Sequence, residues 1–223
     1  MPERILLVKA GMERVDSAPH TRANAIVLPQ AFLDAAQPAE LVYVMGHELF
    51  HVLSRHDEQA REQLYATLGF QRCARTEVPE AVERLRITNP DAIDDRHTIR
   101  VRYRGEQVEA MPLLMLRSAD FDPAQGFIAN AHDPWLIMER RDGACRARLR
   151  AGVAQSAKAA ELEGLFEQIG RNTAYLIHPE EIVADNFAAL AIAFSSGKPA
   201  ALPSPEVIER MRPILFAPRS RAR

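Results

Sequence analysis

The sequence lacks a long hydrophobic run and any large excess of charge of one sign. Its longest apolar run, residues 187–194, is far shorter than the roughly 20 residues that cross a bilayer, so we expect no integral membrane segment. A formal net charge of −2 gives no general attraction to nucleic acid or to an anionic membrane. These absences favour a protein that spans no membrane and binds no nucleic acid.

The sequence shows neither a secretory signal nor a cysteine-based metal site. The short apolar stretch at residues 5–8 lacks the length and the cleavage site of a secretory signal, so the cytoplasm is the expected compartment. Cys73 and Cys145 are the only cysteines, and their spacing does not match a metal site. We interpret them as reduced thiols of the core or the surface.

Hydrophobic patterning predicts a mixture of strands and helices. With 223 residues, 47% of them hydrophobic, the chain can form one domain that carries an elaboration. Buried strands are expected at residues 5–8 and 25–28. Helices are expected at residues 38–56, 57–68, 155–169 and from 179 onward, and Asp57 is expected to cap the second of them.

The middle of the chain has a different pattern. Apolar and polar residues alternate on either side of the turn Arg104-Gly105, which predicts a hairpin with one solvated face. The turn signal Asp142-Gly143 predicts a second hairpin. Residues 76–150 are therefore interpreted as a β-rich insertion in a single domain of residues 1–223. The arginines of these strands alternate with apolar residues, which indicates a solvated face. The arginines at the end of the chain, from residue 219 onward, are expected to fray.

The most informative stretch is H-E-L-F-H at residues 47–51. In a helix, residues four apart lie about 6 Å apart along the axis and on one face, so His47 and His51 can present two imidazoles to one metal ion. Glu48 lies one position further round the turn, where it is awkward as a ligand but suited to act as a general base. Such a string also arises by chance on solvated helices. Here Pro38 and the apolar face after it place the motif inside a helix, as a zinc site requires.

The helix that begins at Pro179 predicts a third ligand. It is apolar nearly all round over residues 182–194, where Asp185 and Asn186 are the only polar residues, so a buried Asp185 needs a partner. Glu181 lies four residues earlier on the same face. Glu181 as the third ligand, with Asp185 hydrogen-bonded behind a ligating imidazole, satisfies both carboxylates and gives a His₂Glu zinc site with an open fourth position.

Other residues are alternatives to Glu181 as the third metal ligand. Glu180 is the main one, because helix starts shift by a residue or two. Asp57 follows His51 by six residues, where related motifs carry a histidine, but Ser54 replaces the glycine that turns the chain back toward the metal. His56 lies at the helix end and is better explained as a surface or capping residue.

Together the two motifs resemble those of the gluzincin metallopeptidases, most closely the group that contains the CAAX prenyl protease and stress-induced membrane proteases. The resemblance covers about residues 20–68 and 175–195, and the transmembrane helices of those proteases are missing here. The matching positions are N-A-I-V-L-P at residues 24–29, H-E-L-x-H at 47–51, Val52, Arg55, His56, and the E-x-x-A-D-x-x-A positions Glu181, Ala184, Asp185 and Ala188.

The resemblance implies an α+β, zincin-like metallopeptidase fold with the β-rich insertion between its two metal-binding helices. It also implies that the strand near residues 24–28 borders the cleft and pairs with an extended substrate. His47, His51 and Glu181 are then the Zn²⁺ ligands, Glu48 is the base and Asp185 supports a ligand. The expected activity is zinc-dependent hydrolysis of a peptide or protein substrate.

Two questions stay open at this level. An oxyanion donor is needed, and Tyr175 and His178 are the candidates, the alternatives being a core tyrosine and a helix cap. The same ligands could also belong to a catalytically silent zinc-bearing protein that acts as a binding or regulatory module. Glu48 favours the enzyme, because a structural zinc site has no use for a base beside an open position.

Overall fold

The structure is a computed structural model that describes residues 1–11, 18–197 and 201–217. The helices are α1 Gln30–Ala35, α2 Pro38–His56, α3 Glu58–Thr67, α4 Glu80–Glu83, α5 Gly126–Asn130, α6 Leu165–Ile169, α7 Pro179–Ser196 and α8 Pro205–Leu215. The strands are β1 Leu6–Ala10, β2 His20–Arg22, β3 Ala25–Pro29, β4 Phe70–Arg72, β5 Arg75–Glu77, β6 His97–Tyr103, β7 Glu106–Pro112, β8 Met115–Leu116, β9 Ala131–His132, β10 Trp135–Arg141, β11 Ala144–Ala147, β12 Leu149–Arg150, β13 Val153–Ala154 and β14 Ser156–Ala157. This mixture confirms the α+β class. The terminal arginines that are expected to fray lie outside the described residues.

The described chain forms two compact units. The first consists of Met1–Leu68, Gly170–Thr173 and Val183–Arg223, and the second of Gly69–Ile169 and Ala174–Ile182. The predicted β-rich residues 76–150 fall inside the second unit, which is larger than that range. A single domain with an insertion at residues 76–150 stays a prediction.

The first unit contains a three-stranded sheet in the order β1-β3-β2, with β1 parallel and β2 antiparallel to β3. Ile26 and Leu28 of β3 pack with Val52 of α2 in one hydrophobic cluster. The strand at residues 5–8 is confirmed, but its predicted burial is wrong, since Leu7 is 64% exposed. The reason is its position, because β1 is an outer strand of a small sheet and an apolar run alone cannot distinguish that from a core strand.

The second unit is built on a sheet in the order β4-β6-β7-β10-β11-β5, with β14 added to β10. Both predicted hairpins are confirmed, and their turn residues Arg104-Gly105 and Asp142-Gly143 all have positive φ angles. The solvated face is confirmed on β6, where Arg100 and Arg102 are exposed, whereas β7 is buried from Val108 onward.

A disulfide joins Cys73 to Cys145, both of which are fully buried in the core of the second unit. The interpretation of these cysteines as reduced thiols is therefore wrong. The sequence could not reveal the bond, because the two residues are 72 positions apart and the sheet brings them together. Disulfides persist in oxidising compartments, so this bond gives no support to the expected cytoplasmic location.

The predicted helix at residues 155–169 is wrong over most of its length, since only Leu165–Ile169 is α-helical. Ser156–Ala157 pairs with β10 instead, which outweighs the helix propensity of the alanines around it. Gly164 has a φ of +80°, a value that no α-helix residue adopts, and so it separates the two conformations.

Candidate metal centre

The H-E-x-x-H motif lies in the third and fourth turns of α2, as predicted. Pro38 occupies the first helical position, Glu40 lies in the first turn and Arg55 in the last, so both ends of the helix dipole are compensated. Glu48 and His51 are buried, and His47 is partly buried. The motif is therefore on the inner face of a well-formed helix rather than on a solvated one.

His47, Glu48 and His51 form a compact group of possible ligands. Their donor atoms all lie within 4.8 Å of one another. The imidazole rings of His47 and His51 have centroids 4.7 Å apart and meet at 81°, edge to face. One turn of one helix thus brings two imidazoles and a carboxylate to a common point, which could hold a metal ion.

Asp185 of α7 orients His47. Its Oδ1 lies 2.7 Å from His47 Nδ1. A carboxylate only accepts hydrogen bonds, so His47 donates from Nδ1, and its Nε2 carries the lone pair that a metal ion takes. The position predicted for Asp185 from the burial of α7, behind a histidine of the motif, agrees with this contact.

Two hydroxyl groups complete the environment of Asp185. Thr173 donates a hydrogen bond from Oγ1 to its Oδ2. Burial raises the pKa of Tyr43 well above its ordinary value, and the charge of Asp185 and a hydrogen bond to it raise that pKa further. Tyr43 is therefore a neutral donor over the physiological range. Asp185 thus accepts hydrogen bonds from three side chains of the first unit, those of His47, Thr173 and Tyr43.

The close approach of α2 and α7 depends on Gly46. A Cβ at this position would lie 3.1 Å from Ala188 Cα, which is closer than ordinary van der Waals contact. Beside it, the rings of Phe50 and Phe187 pack with centroids 5.8 Å apart. Gly46 directly precedes His47, so the small residue sets the helix spacing at the point where the His47–Asp185 hydrogen bond forms.

Thr21 of β2 contacts the predicted base. Its hydroxyl donates to Glu48 Oε2 at 2.7 Å, and both residues are buried, at 0% and 3% exposure. The expectation that the strand at residues 24–28 pairs with an extended substrate is wrong, because β3 is already paired with β1 on one side and β2 on the other. The outer strand next to the motif is β2.

In the second unit, Glu181 and Glu180 lie in the first turn of α7 and are both buried. Glu181 Oε1 accepts a hydrogen bond from Asn89 Nδ2 at 2.6 Å. Glu181 precedes Asp185 by one turn of the same helix, as the sequence spacing requires.

His178 occupies the N-cap position of α7. Its Nδ1 accepts from the backbone N–H of Glu180 at 3.0 Å, and its Nε2 lies 3.0 Å from the carbonyl oxygen of Asp94. Burial lowers the pKa of His178, and the opposing charges of Asp95 and Glu180 offset only part of this effect. These contacts favour the helix-cap alternative for His178. Tyr175 is 46% exposed and so is not a core tyrosine.

The two remaining candidates for the third ligand, Asp57 and His56, have other roles in the structure. Asp57 caps α3 by accepting from the backbone N–H of Ala60 at 2.9 Å. His56 is the exposed last residue of α2. The sequence predicted both roles.

Sequence reasoning missed five residues that contact or position His47, Glu48, Glu181 or Asp185. These are Thr21, Tyr43, Gly46, Asn89 and Thr173. A glycine inside an otherwise regular helix was the one signal available, because such a residue costs helix stability and so indicates close packing. The other four have no sequence signature, since their partners are distant along the chain.

Comparison of the chain with protein family models, with curated proteins and with solved structures gives no match in any of the three. Membership of the gluzincin metallopeptidases therefore stays a prediction. Among the described residues, no helix is long and apolar enough to cross a membrane.

Proposed function

We propose that the protein is a zinc-dependent metallopeptidase with a zincin-like fold, in which His47, His51 and Glu181 bind the metal. The observation that carries the proposal is the group of His47, Glu48 and His51 together with the carboxylate of Asp185 behind His47. A histidine ligand whose second nitrogen is held by a carboxylate is typical of zinc sites. A helix that carries such a group by chance has no reason to bury Asp185 against it.

The donor types suit zinc. Two neutral imidazoles and one carboxylate are the ligands of catalytic zinc sites that leave a fourth position open. Glu181 supports this assignment because it is buried, lies one turn before Asp185 in α7, and has one carboxylate oxygen fixed by Asn89. When bound, zinc would polarise the scissile carbonyl and make water acidic enough to be deprotonated near neutral pH.

The protein's own residues would perform the proton transfers. Glu48 takes a proton from the attacking water and passes it to the leaving amine, which is general base and then general acid catalysis. Thr21 donates a hydrogen bond to Oε2 of Glu48 and so fixes the direction of its carboxylate. Tyr175, which is partly exposed, is the proposed donor to the oxyanion.

A direct test replaces the base and keeps the ligands. Glu48→Gln should retain zinc at the wild-type level, because Glu48 is not a ligand in this proposal, and should lose hydrolysis of an unstructured protein such as casein. Glu40→Gln, the same change at an exposed acid of the same helix, is the matched control and should retain both. Full casein hydrolysis by Glu48→Gln would reject the assignment. Wild-type protein with full zinc and no activity on a broad peptide library would favour the silent zinc-bearing alternative.

A further inference from the structure

We infer that Asn89 is a positioning residue of the proposed metal site, which orients the carboxylate of Glu181 for metal binding. The inference rests on the proposed function, since Glu181 is a ligand there. The contact that supports it is the hydrogen bond from Asn89 Nδ2 to Glu181 Oε1, 2.6 Å long and formed within the second unit. Asn89 lies outside the two metal motifs, in the segment between α4 and β6.

The orientation of the Asn89 amide is fixed. Its Oδ1 accepts from the backbone N–H of Asp91 at 3.0 Å, so the amide nitrogen is the atom that faces Glu181. The flipped amide would place two acceptors 2.6 Å apart and leave a donor against the N–H of Asp91. The backbone turn therefore decides which end of Asn89 meets the carboxylate.

Both residues are buried, which makes this contact stronger than one on the surface. Asn89 is 7% exposed and Glu181 is 2% exposed. A hydrogen bond to a charged group in such surroundings stabilises more than a neutral one on the surface. With Oε1 held by Asn89, the long glutamate side chain has one preferred direction.

Asp91 adds a second buried carboxylate beside Glu181. It is 8% exposed, and a carboxylate oxygen of Asp91 lies within 4.8 Å of one of Glu181. Two buried carboxylates at this distance repel each other when both are charged. The hydrogen bond donated by Asn89 partly offsets this repulsion, because it places a donor against the Glu181 carboxylate.

The test measures zinc affinity by competition with a chromophoric chelator in wild type, Asn89→Ala and Asn130→Ala. Partners that orient a metal ligand typically change metal affinity by about 10–100-fold, and we expect a loss of that size in Asn89→Ala. Asn130→Ala is the matched control, because Asn130 also braces a loop of the second unit through three hydrogen bonds but contacts no proposed ligand. It should bind zinc as wild type does.

A spectroscopic readout separates positioning from general loosening. With Co²⁺ in place of zinc, the visible absorption of the metal should change in Asn89→Ala and stay unchanged in Asn130→Ala, since the band reports the ligand geometry. If Asn89→Ala does not fold, Asn89→Ser replaces it. Its hydroxyl can still serve the backbone N–H of Asp91 but is too short to reach Glu181 as well, so it should show the same loss.

Failure of the inference about Asn89 and failure of the proposed function would give different results. Wild-type affinity with an unchanged Co²⁺ spectrum in Asn89→Ala or Asn89→Ser overturns the role of Asn89 and leaves the proposed function standing. Wild-type protein that binds no zinc overturns the proposed function itself.

Discussion

At the scale of single residues, the proposed site depends on hydrogen bonds that give each functional group one orientation. His47 is oriented by Asp185, and Glu48 by Thr21. A chance H-E-x-x-H string would have no reason to form such contacts, so they support the proposed site.

Thr21→Val should lower kcat for casein hydrolysis about tenfold or more and leave zinc content and KM nearly unchanged. The substitution keeps the shape of the side chain but removes the donor, and hydrogen bonds to charged groups contribute about 1.5–3 kcal/mol. Thr21→Ser, which keeps the hydroxyl, should restore most of the rate. An unchanged kcat in Thr21→Val would show that Glu48 needs no such support.

Tyr43 predicts a loss of stability at alkaline pH. Its pKa is raised in the folded state, so the native protein keeps a proton that the unfolded chain releases above about pH 10. The stabilisation is therefore complete below that pH and is lost as the pH rises above it. Urea unfolding at pH 8 and at pH 10.5 should show a larger drop in the free energy of unfolding for wild type than for Tyr43→Phe. Equal drops would show that folding does not raise the pKa of Tyr43.

At the scale of secondary-structure elements, the close packing of α2 against α7 in the first unit controls the His47–Asp185 contact. Local sequence was sufficient to predict α2, which begins at Pro38 and ends at His56 as expected. It was also sufficient for the cap at Asp57 and for both hairpins, because capping and turn residues act within a few positions. The predicted helix at residues 155–169 failed because pairing with a distant strand decided the conformation.

Gly46→Ala should lower the free energy of unfolding by about 1–3 kcal/mol and should weaken zinc binding. The helix gains from replacing glycine, but the new methyl group meets the backbone Cα of Ala188, which cannot rotate away. Val42→Ala, at an exposed position one turn earlier in α2, is the control and should change stability by less than about 0.5 kcal/mol. A more stable Gly46→Ala protein with full zinc affinity would show that the helices can separate at no cost.

At the scale of the whole molecule, the described chain consists of two compact units that are stabilised in different ways. The first relies on helix packing around the motif, and the second on a sheet that is cross-linked by Cys73–Cys145. The sequence indicated the β-rich character of the second unit. Neither the disulfide nor the contact of Asn89 with Glu181 could be predicted, because each joins positions that are far apart along the chain.

Reduction of the disulfide should lower the free energy of unfolding by about 2–4 kcal/mol, as is typical when a bond that closes a long loop is lost. Urea unfolding with and without dithiothreitol measures the change. The double variant Cys73→Ala and Cys145→Ala is the control, and its unfolding should not respond to dithiothreitol. If dithiothreitol does not change the unfolding of wild type either, the bond does not form in solution.

The most direct test of the proposed metal site is the zinc content of purified wild type, Glu181→Ala and Glu180→Ala, measured by elemental analysis. We predict one zinc per chain in wild type and in Glu180→Ala, because Glu180 is the neighbouring acid but not the proposed ligand. Glu181→Ala should retain little or none, because it removes one of three ligands. Wild-type protein without zinc, or equal zinc in wild type and Glu181→Ala, would contradict the account.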